Sequence, residues 1–173
     1  MTKIFFKYWV LFCGLLVCLS SCYTSKIYIV RHAERLDQSA DTPLSALGHQ
    51  RAKDLAESLG KENIDSIFVS KYLRTRQTAQ PLADLLGKQC TVYELQPMSS
   101  VIVNRLNQLK GKSALVVGHS DTILEIAKGL GTKPTLPKIE SSDYDNLFFA
   151  TIKKSLFGKK TMLTESTYGT KTL

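Results

Sequence analysis

The chain has 173 residues, 43% of them hydrophobic and 22% charged, with a net charge of +8. That length and balance suit one domain with a substantial core and exclude a disordered or multi-span chain. The lysines and arginines are scattered, with no basic helix and no interleaved aromatics, which excludes a nucleic-acid reader and leaves an anionic small partner.

The first residues stand apart from the rest. Lys3 and Lys7 precede an apolar run from Tyr8 to Leu19, too short to span a bilayer but suited to an export signal. The run ends in Leu19-Ser20-Ser21-Cys22, which resembles the bacterial lipobox. That resemblance implies cleavage before Cys22 and a lipid on its thiol. The expected organisation is a removed signal peptide (1–21), a lipidated tether (22–25) and one domain (26–173). The expected location is a bacterial envelope, facing the periplasm or cell surface, with the membrane as partner through Cys22. Loss of Lys3 and Lys7 lowers the net charge from +8 to +6 and removes Cys13 and Cys18. Cys90 is then the lone free cysteine, without an internal disulfide partner, and no Cys/His spacing suggests a metal site.

Downstream, apolar alternation predicts a buried strand over Lys26–Arg31. Ser45 can cap a helix to Leu59, with Leu44, Leu47, Leu55, Ala56 and Leu59 as its apolar stripe and Gly60 as its stop. The pattern then repeats. Strands are expected over Ile64–Ser70, Cys90–Leu95 and Ser113–Val117. Helices are expected over Tyr72–Leu86 (closed by Gly87), Ser99–Leu109 and Ser120–Leu130. A hairpin around Gly158 pairs Leu147–Lys153 with Thr161–Thr164. This alternation predicts an α/β three-layer sandwich with a largely parallel central sheet.

In such sheets ligands sit at the carboxyl ends of the strands. The segments there are Arg31-His32-Ala33-Glu34, Ser70 to Ala79 with Arg74 within it, and Gly118-His119-Ser120-Asp121. Two guanidiniums and two imidazoles at one edge make a cationic pocket suited to the oxygens of a phosphate monoester. The arginines also favour the neutral, nucleophilic imidazole. His49 reads as a solvated helix residue, Arg76 as rim, Cys90 as packing and Ser120 as a helix cap. Glu34 can pair with Arg31 or a nearby amide.

These segments resemble the signature of the histidine phosphatase superfamily, also called phosphoglycerate mutase-like. Arg31 to Glu34 matches its Arg-His-Gly/Ala-Glu element, and Leu44, Ser45, Gly48 and Ala52 match the second. Ser70, Arg74, Gln77, Thr78 and Ala79 match the third, with Lys71 where proline is usual and Thr75 where alanine is usual. Gly118-His119 matches the last. The resemblance implies a phosphoglycerate mutase-like fold and a phosphomonoesterase that needs no metal or cofactor. His32 becomes phosphohistidine, and Arg31, Arg74 and His119 hold the phosphate of a small phosphorylated substrate or phosphoprotein. An acid must protonate the leaving oxygen; Glu94 is the first candidate and Asp121 the second. The alternatives are an inactive phosphate-binding envelope lipoprotein and a mutase-type phosphotransferase. The short interval between Arg74 and His119 leaves little room for a mutase lid.

Overall fold

The computed structural model of the protein describes residues 22–95 and 99–172, so the expected signal peptide and most of the lipobox-like stretch lie outside the described residues. Among the described residues ten elements follow one another: β1 (Tyr23–Arg31), α1 (Ala46–Leu59), β2 (Ser66–Val69), α2 (Leu73–Leu86), β3 (Cys90–Val92), α3 (Ser100–Asn107), β4 (Ser113–Gly118), α4 (Ile123–Gly129), β5 (Asn146–Ser155) and β6 (Gly158–Thr167). The described strands form one six-stranded sheet in the order β3-β2-β4-β1-β5-β6.

Strand alternation builds two cores, one on each face. Ile27 and Ile29 of β1 and Ala114 and Val116 of β4 join Ile102, Leu106, Ile123 and Ile126 of α3 and α4. Tyr28, Val30, Leu115 and Val117 face the other way and meet Leu55, Leu59, Ala79 and Leu82 of α1 and α2. The central strands are therefore apolar on both sides, as a sheet covered by helices on both faces requires. Each fully buried aliphatic side chain contributes about 1.5–3 kcal/mol.

The sheet is mixed, not largely parallel. β3, β2, β4 and β1 are mutually parallel, whereas β5 runs antiparallel to β1 and β6 antiparallel to β5. The reason lies in the chain between α4 and β5. It returns without a helix to the carboxyl end of β1, where Leu147 pairs with Val30, so β5 must run back along β1. A tight turn at Leu156-Phe157 then forces β6 to be antiparallel. β1 also begins earlier than the apolar alternation suggests. Tyr23, Thr24 and Ser25, read as tether, pair with Lys154, Lys153 and Ile152.

Local signals explain most element ends. The Ser45 hydroxyl accepts from the Gly48 amide at 3.1 Å, capping α1, and Gly87 closes α2 in the left-handed region at φ 61°. The stripe of α1 differs from expectation at one position: Leu47 is 54% exposed, while Arg51 is 2% exposed and takes an inward place. Among the described residues no helix is long and apolar enough to cross a membrane.

Candidate active site

The parallel register places the end of β1 beside the end of β4: Arg31 is paired with Gly118, and the His32 amide donates to the Gly118 carbonyl at 2.9 Å. His32 and His119 thus leave adjacent strands side by side, with ring centroids 5.3 Å apart. Arg74, on the first turn of α2, reaches the same place, its Nη2 lying 3.4 Å from His119 Nδ1. All four expected residues, Arg31, His32, Arg74 and His119, line one cavity of about 530 Å³. Arg35, Tyr72, Ser120, Asp121 and Glu125 also line it.

Hydrogen bonds set the state of each imidazole. His32 Nδ1 lies 2.8 Å from the Ala33 carbonyl, which can only accept, so Nδ1 carries the proton and Nε2 keeps its lone pair. Burial holds the His32 pKa down at about 3, assisted by His119, Arg31 and Arg74 and opposed by the bond to Ala33. His119 is held at about 4 by burial and then by Arg74, with Asp121 pulling the other way. Burial therefore outweighs the arginines expected to depress these groups. Both rings are neutral at pH 7. Arg74 donates towards His119 Nδ1, and Ser70 Oγ lies 2.9 Å from His119 Nε2, which therefore carries the proton.

The arginines are fixed from behind. Arg31 Nη1 donates to the carbonyls of Glu140 and Asp143, both at 2.8 Å, and its guanidinium lies 4.0 Å from the centre of the Tyr144 ring. Arg74 Nη1 donates to the Ala40 carbonyl at 3.0 Å, and its guanidinium lies 4.3 Å from the Tyr72 ring centre. Among the described residues neither guanidinium is ion-paired with a carboxylate. Arg31 Nε and Arg74 Nε are buried and find no partner within the protein. Donors left over in a buried cationic site suit an incoming oxyanion.

The remaining motif residues serve as scaffold. Thr78 Oγ1 accepts from the Ala33 amide at 2.9 Å, and Gln77 Oε1 accepts from the Leu44 amide at 2.8 Å. Glu34 pairs with neither Arg31 nor a backbone amide. It receives two bonds from Arg51 Nε at 2.9 Å and one from Arg51 Nη2 at 2.7 Å, while Arg51 Nη1 also reaches the carbonyls of Tyr168 and Thr170. Gly48 makes room for this, since a Cβ there would meet the Glu34 carbonyl oxygen at 2.1 Å. The turn after β4 is braced by Thr122, whose Oγ1 accepts from the His119 amide at 2.9 Å. The helix expected from Ser120 accordingly starts at Ile123, with Ser120 in the cavity wall rather than at a cap.

The two acid candidates separate. Asp121 lines the cavity that holds His32, whereas Glu94 lies in an adjoining space of about 200 Å³ with Lys71, Tyr72, Tyr93 and Leu95. Glu125 also lines the main cavity but accepts from the Ser99 hydroxyl at 3.2 Å. His49 and Arg76 are exposed, as expected, and Cys90 is half-buried against the second core. Cys22 is exposed just before β1. Among the described residues no three His, Cys, Asp or Glu side chains gather as metal ligands would. Arg35, Arg51, Tyr72 and Tyr144 are the contributors that the sequence did not single out.

The model of the histidine phosphatase superfamily (branch 1) matches residues 27–98. The phosphoglycerate mutase GpmB of Serratia proteamaculans is 35% identical over 69 residues, 36% of this chain and 32% of that protein. Phosphoserine phosphatase 2 of Hydrogenobacter thermophilus is 30% identical over 128 residues, 68% of this chain and 60% of that protein; both names are provisional assignments. The chain thus spans between about a third and three-fifths of these curated relatives. Among solved structures, the mycobacterial glucosyl-3-phosphoglycerate phosphatase superposes with a TM-score of 0.65 at 16% identity, covering 84% of this chain and 100% of that one. The Entamoeba histolytica phosphoserine phosphatase, solved with 3-phosphoglyceric acid, gives 0.59 at 19% identity, covering 84% and 98%. At such identities these two structures share the fold. The sequence match across the first half of the domain and the common fold together support the histidine phosphatase superfamily.

Proposed function

We propose that the chain is a phosphomonoesterase working through a phosphohistidine on His32. One observation carries this reading: two guanidiniums without carboxylate partners and two neutral imidazoles face the same cavity. A phosphate monoester entering it meets Arg31 and Arg74 as charge-assisted donors. His32 Nε2 attacks phosphorus, the P–O bond to the alcohol breaks, and the leaving oxygen takes a proton from the Asp121 carboxyl group. Water then gives a proton back to Asp121 and attacks the phosphohistidine, so inorganic phosphate leaves and His32 is restored. Arg31 and Arg74 offset the charge on the transferring phosphoryl group, and His119, accepting from Arg74, orients that guanidinium. No step in this sequence needs a metal or cofactor.

We further propose that the mature chain is lipid-anchored through Cys22 at a bacterial envelope, on the strength of Lys3, Lys7, the apolar run and the lipobox-like ending. Its substrates are then small soluble phosphomonoesters. Hydrolysis of an aryl phosphate by the full chain, with EDTA present, tests the catalytic half. Turnover that falls by at least about 10⁴-fold in His32→Ala supports it. Equal turnover in the two proteins, or turnover abolished by EDTA, contradicts it.

A further inference from the structure

We infer that the end of the molecule opposite the active site is a docking surface for an anionic lipid bilayer, with the β5–β6 hairpin tip seated at its interface. The inference rests on the proposed membrane location and adds to it an orientation. The tip carries Leu156, 60% exposed, and Phe157, 100% exposed, side by side in the turn. Two neighbouring apolar side chains at a turn are poorly explained by folding when one is fully exposed and the other mostly so. They are flanked by Lys153 and Lys154 on β5 and Lys159 and Lys160 on β6, all exposed.

Register brings the N-terminus of the described chain to the same place. Tyr23 pairs with Lys154, and Lys154 with Lys159, so Cys22 stands beside the hairpin tip. The turn before β4 adds two more exposed lysines, Lys110 and Lys112. It is held there by the Gly111 amide donating to Ser25 Oγ at 3.1 Å and the Lys26 amide to the Lys112 carbonyl at 3.2 Å. Two carboxylates at this end, Glu62 and Asp65, offset part of this charge and leave the lysines in excess. Glu62 accepts from Tyr28 Oη and Lys26 Nζ, and Asp65 from the Ser113 amide. One lysine is tied within the protein, Lys159 Nζ donating to Asn107 Oδ1 at 2.8 Å.

An apolar wedge ringed by lysines matches a surface of anionic headgroups over acyl chains, where each lysine near the surface strengthens binding roughly fivefold. Eight strand steps, roughly 26 Å, separate Tyr23 from Arg31, so His32, the next residue, lies at the far end of β1 from the bilayer. The cavity then opens to the aqueous side, as soluble substrates require.

The test uses the chain after export and lipidation in a bacterial host, purified and reconstituted with vesicles. Trp9 is the sole tryptophan, so Trp9→Phe/Phe157→Trp and Trp9→Phe/Leu36→Trp each report one pole. Leu36, 62% exposed, lies in the loop after β1 at the active-site end. With brominated phosphatidylglycerol vesicles, the reporter at 157 is expected to be quenched at least about threefold more than the reporter at 36. That quenching should weaken in 0.5 M salt and in Lys153→Glu/Lys154→Glu/Lys159→Glu/Lys160→Glu. Protein that floats with the vesicles while position 157 stays unquenched overturns the docking surface and leaves the anchor standing. Protein that neither floats nor is quenched overturns both. Equal quenching in neutral phosphatidylcholine refutes the role of charge. A blue shift without bromine quenching that grows with protein concentration shows a second copy on the tip, and also overturns the inference.

Discussion

The Glu34–Arg51 pair offers the sharpest test of how the site is held. Arg51 is 2% exposed, and the side chains of the pair are 2% and 12% exposed, so the carboxylate is shielded and depends on its partner. Arg51→Met keeps the apolar length of the side chain but strands Glu34, at an expected cost of about 3–5 kcal/mol. For a domain of this size that is a fall of roughly 6–20 °C in Tm. Glu34→Gln/Arg51→Met removes both charges and is expected to recover at least about 1 kcal/mol relative to Arg51→Met, since the single change leaves a shielded charge and the double change does not. Urea unfolding of the wild type, both single variants and the double variant measures the coupling. Because Glu34 is two residues from His32, Arg51→Met is also expected to slow aryl phosphate turnover in protein that remains folded. A single variant within 1 kcal/mol of wild type, or strictly additive effects, refutes the reasoning.

Other consequences concern the chemistry. Arg74→Ala removes a donor to phosphate and a neighbour of His119, so kcat/KM is expected to fall about 10²–10³-fold, with weaker inhibition by inorganic phosphate. Asp121→Asn is expected to slow hydrolysis of alkyl phosphates far more than of p-nitrophenyl phosphate, whose leaving group needs no proton. Glu94→Gln should leave that ratio unchanged; the reverse pattern would move the acid role to Glu94. The buried histidines bind protons less readily folded than unfolded, with folded pKa values of about 3 and about 4 against about 6.5 in the unfolded chain. Their contribution to stability is therefore full above pH 6.5 and is lost as pH falls towards 4. Each adds a slope approaching about 1.4 kcal/mol per pH unit. Urea unfolding at pH 7, 6 and 5 should show a shallower fall in His32→Asn/His119→Asn; an unchanged slope would contradict the neutral assignment.

Much of the site was legible because it sits where the chain leaves a strand. Arg31-His32 and Gly118-His119 each end an apolar run, and parallel strands bring such ends together whatever the details. Arg74 follows a strand and opens a helix, which again fixes its end of the sheet. Arg51 was hidden, because an arginine in a helix reads as polar surface, and the apolar Leu47 stands one turn away on the exposed side. Glu34, 17 residues earlier, and the distant carbonyls of Tyr168 and Thr170 make its burial possible. The direction of β5 was hidden as well, since alternation shows which face a side chain takes and says nothing of which way the strand runs. The segment that decides it, before Asn146, has no periodicity. The same irregular segment delivers the carbonyls of Glu140 and Asp143 and the ring of Tyr144 to Arg31, contacts made by backbone and shape. The sequence put Glu94 ahead of Asp121 as the acid, although both follow strand ends; Asp121 lines the cavity with His32, whereas Glu94 lines the adjoining one.

Trapping the covalent intermediate on His32 decides whether catalysis runs through a phosphohistidine. Full-length protein mixed with a ³²P-labelled phosphomonoester and quenched in alkali should yield a labelled chain that loses its phosphate in acid, as a P–N bond does. Peptide mapping should place the label on His32, and His32→Ala should give none. Turnover with no trapped label at any quench time, or a label stable to acid and mapped to another residue, would contradict the account.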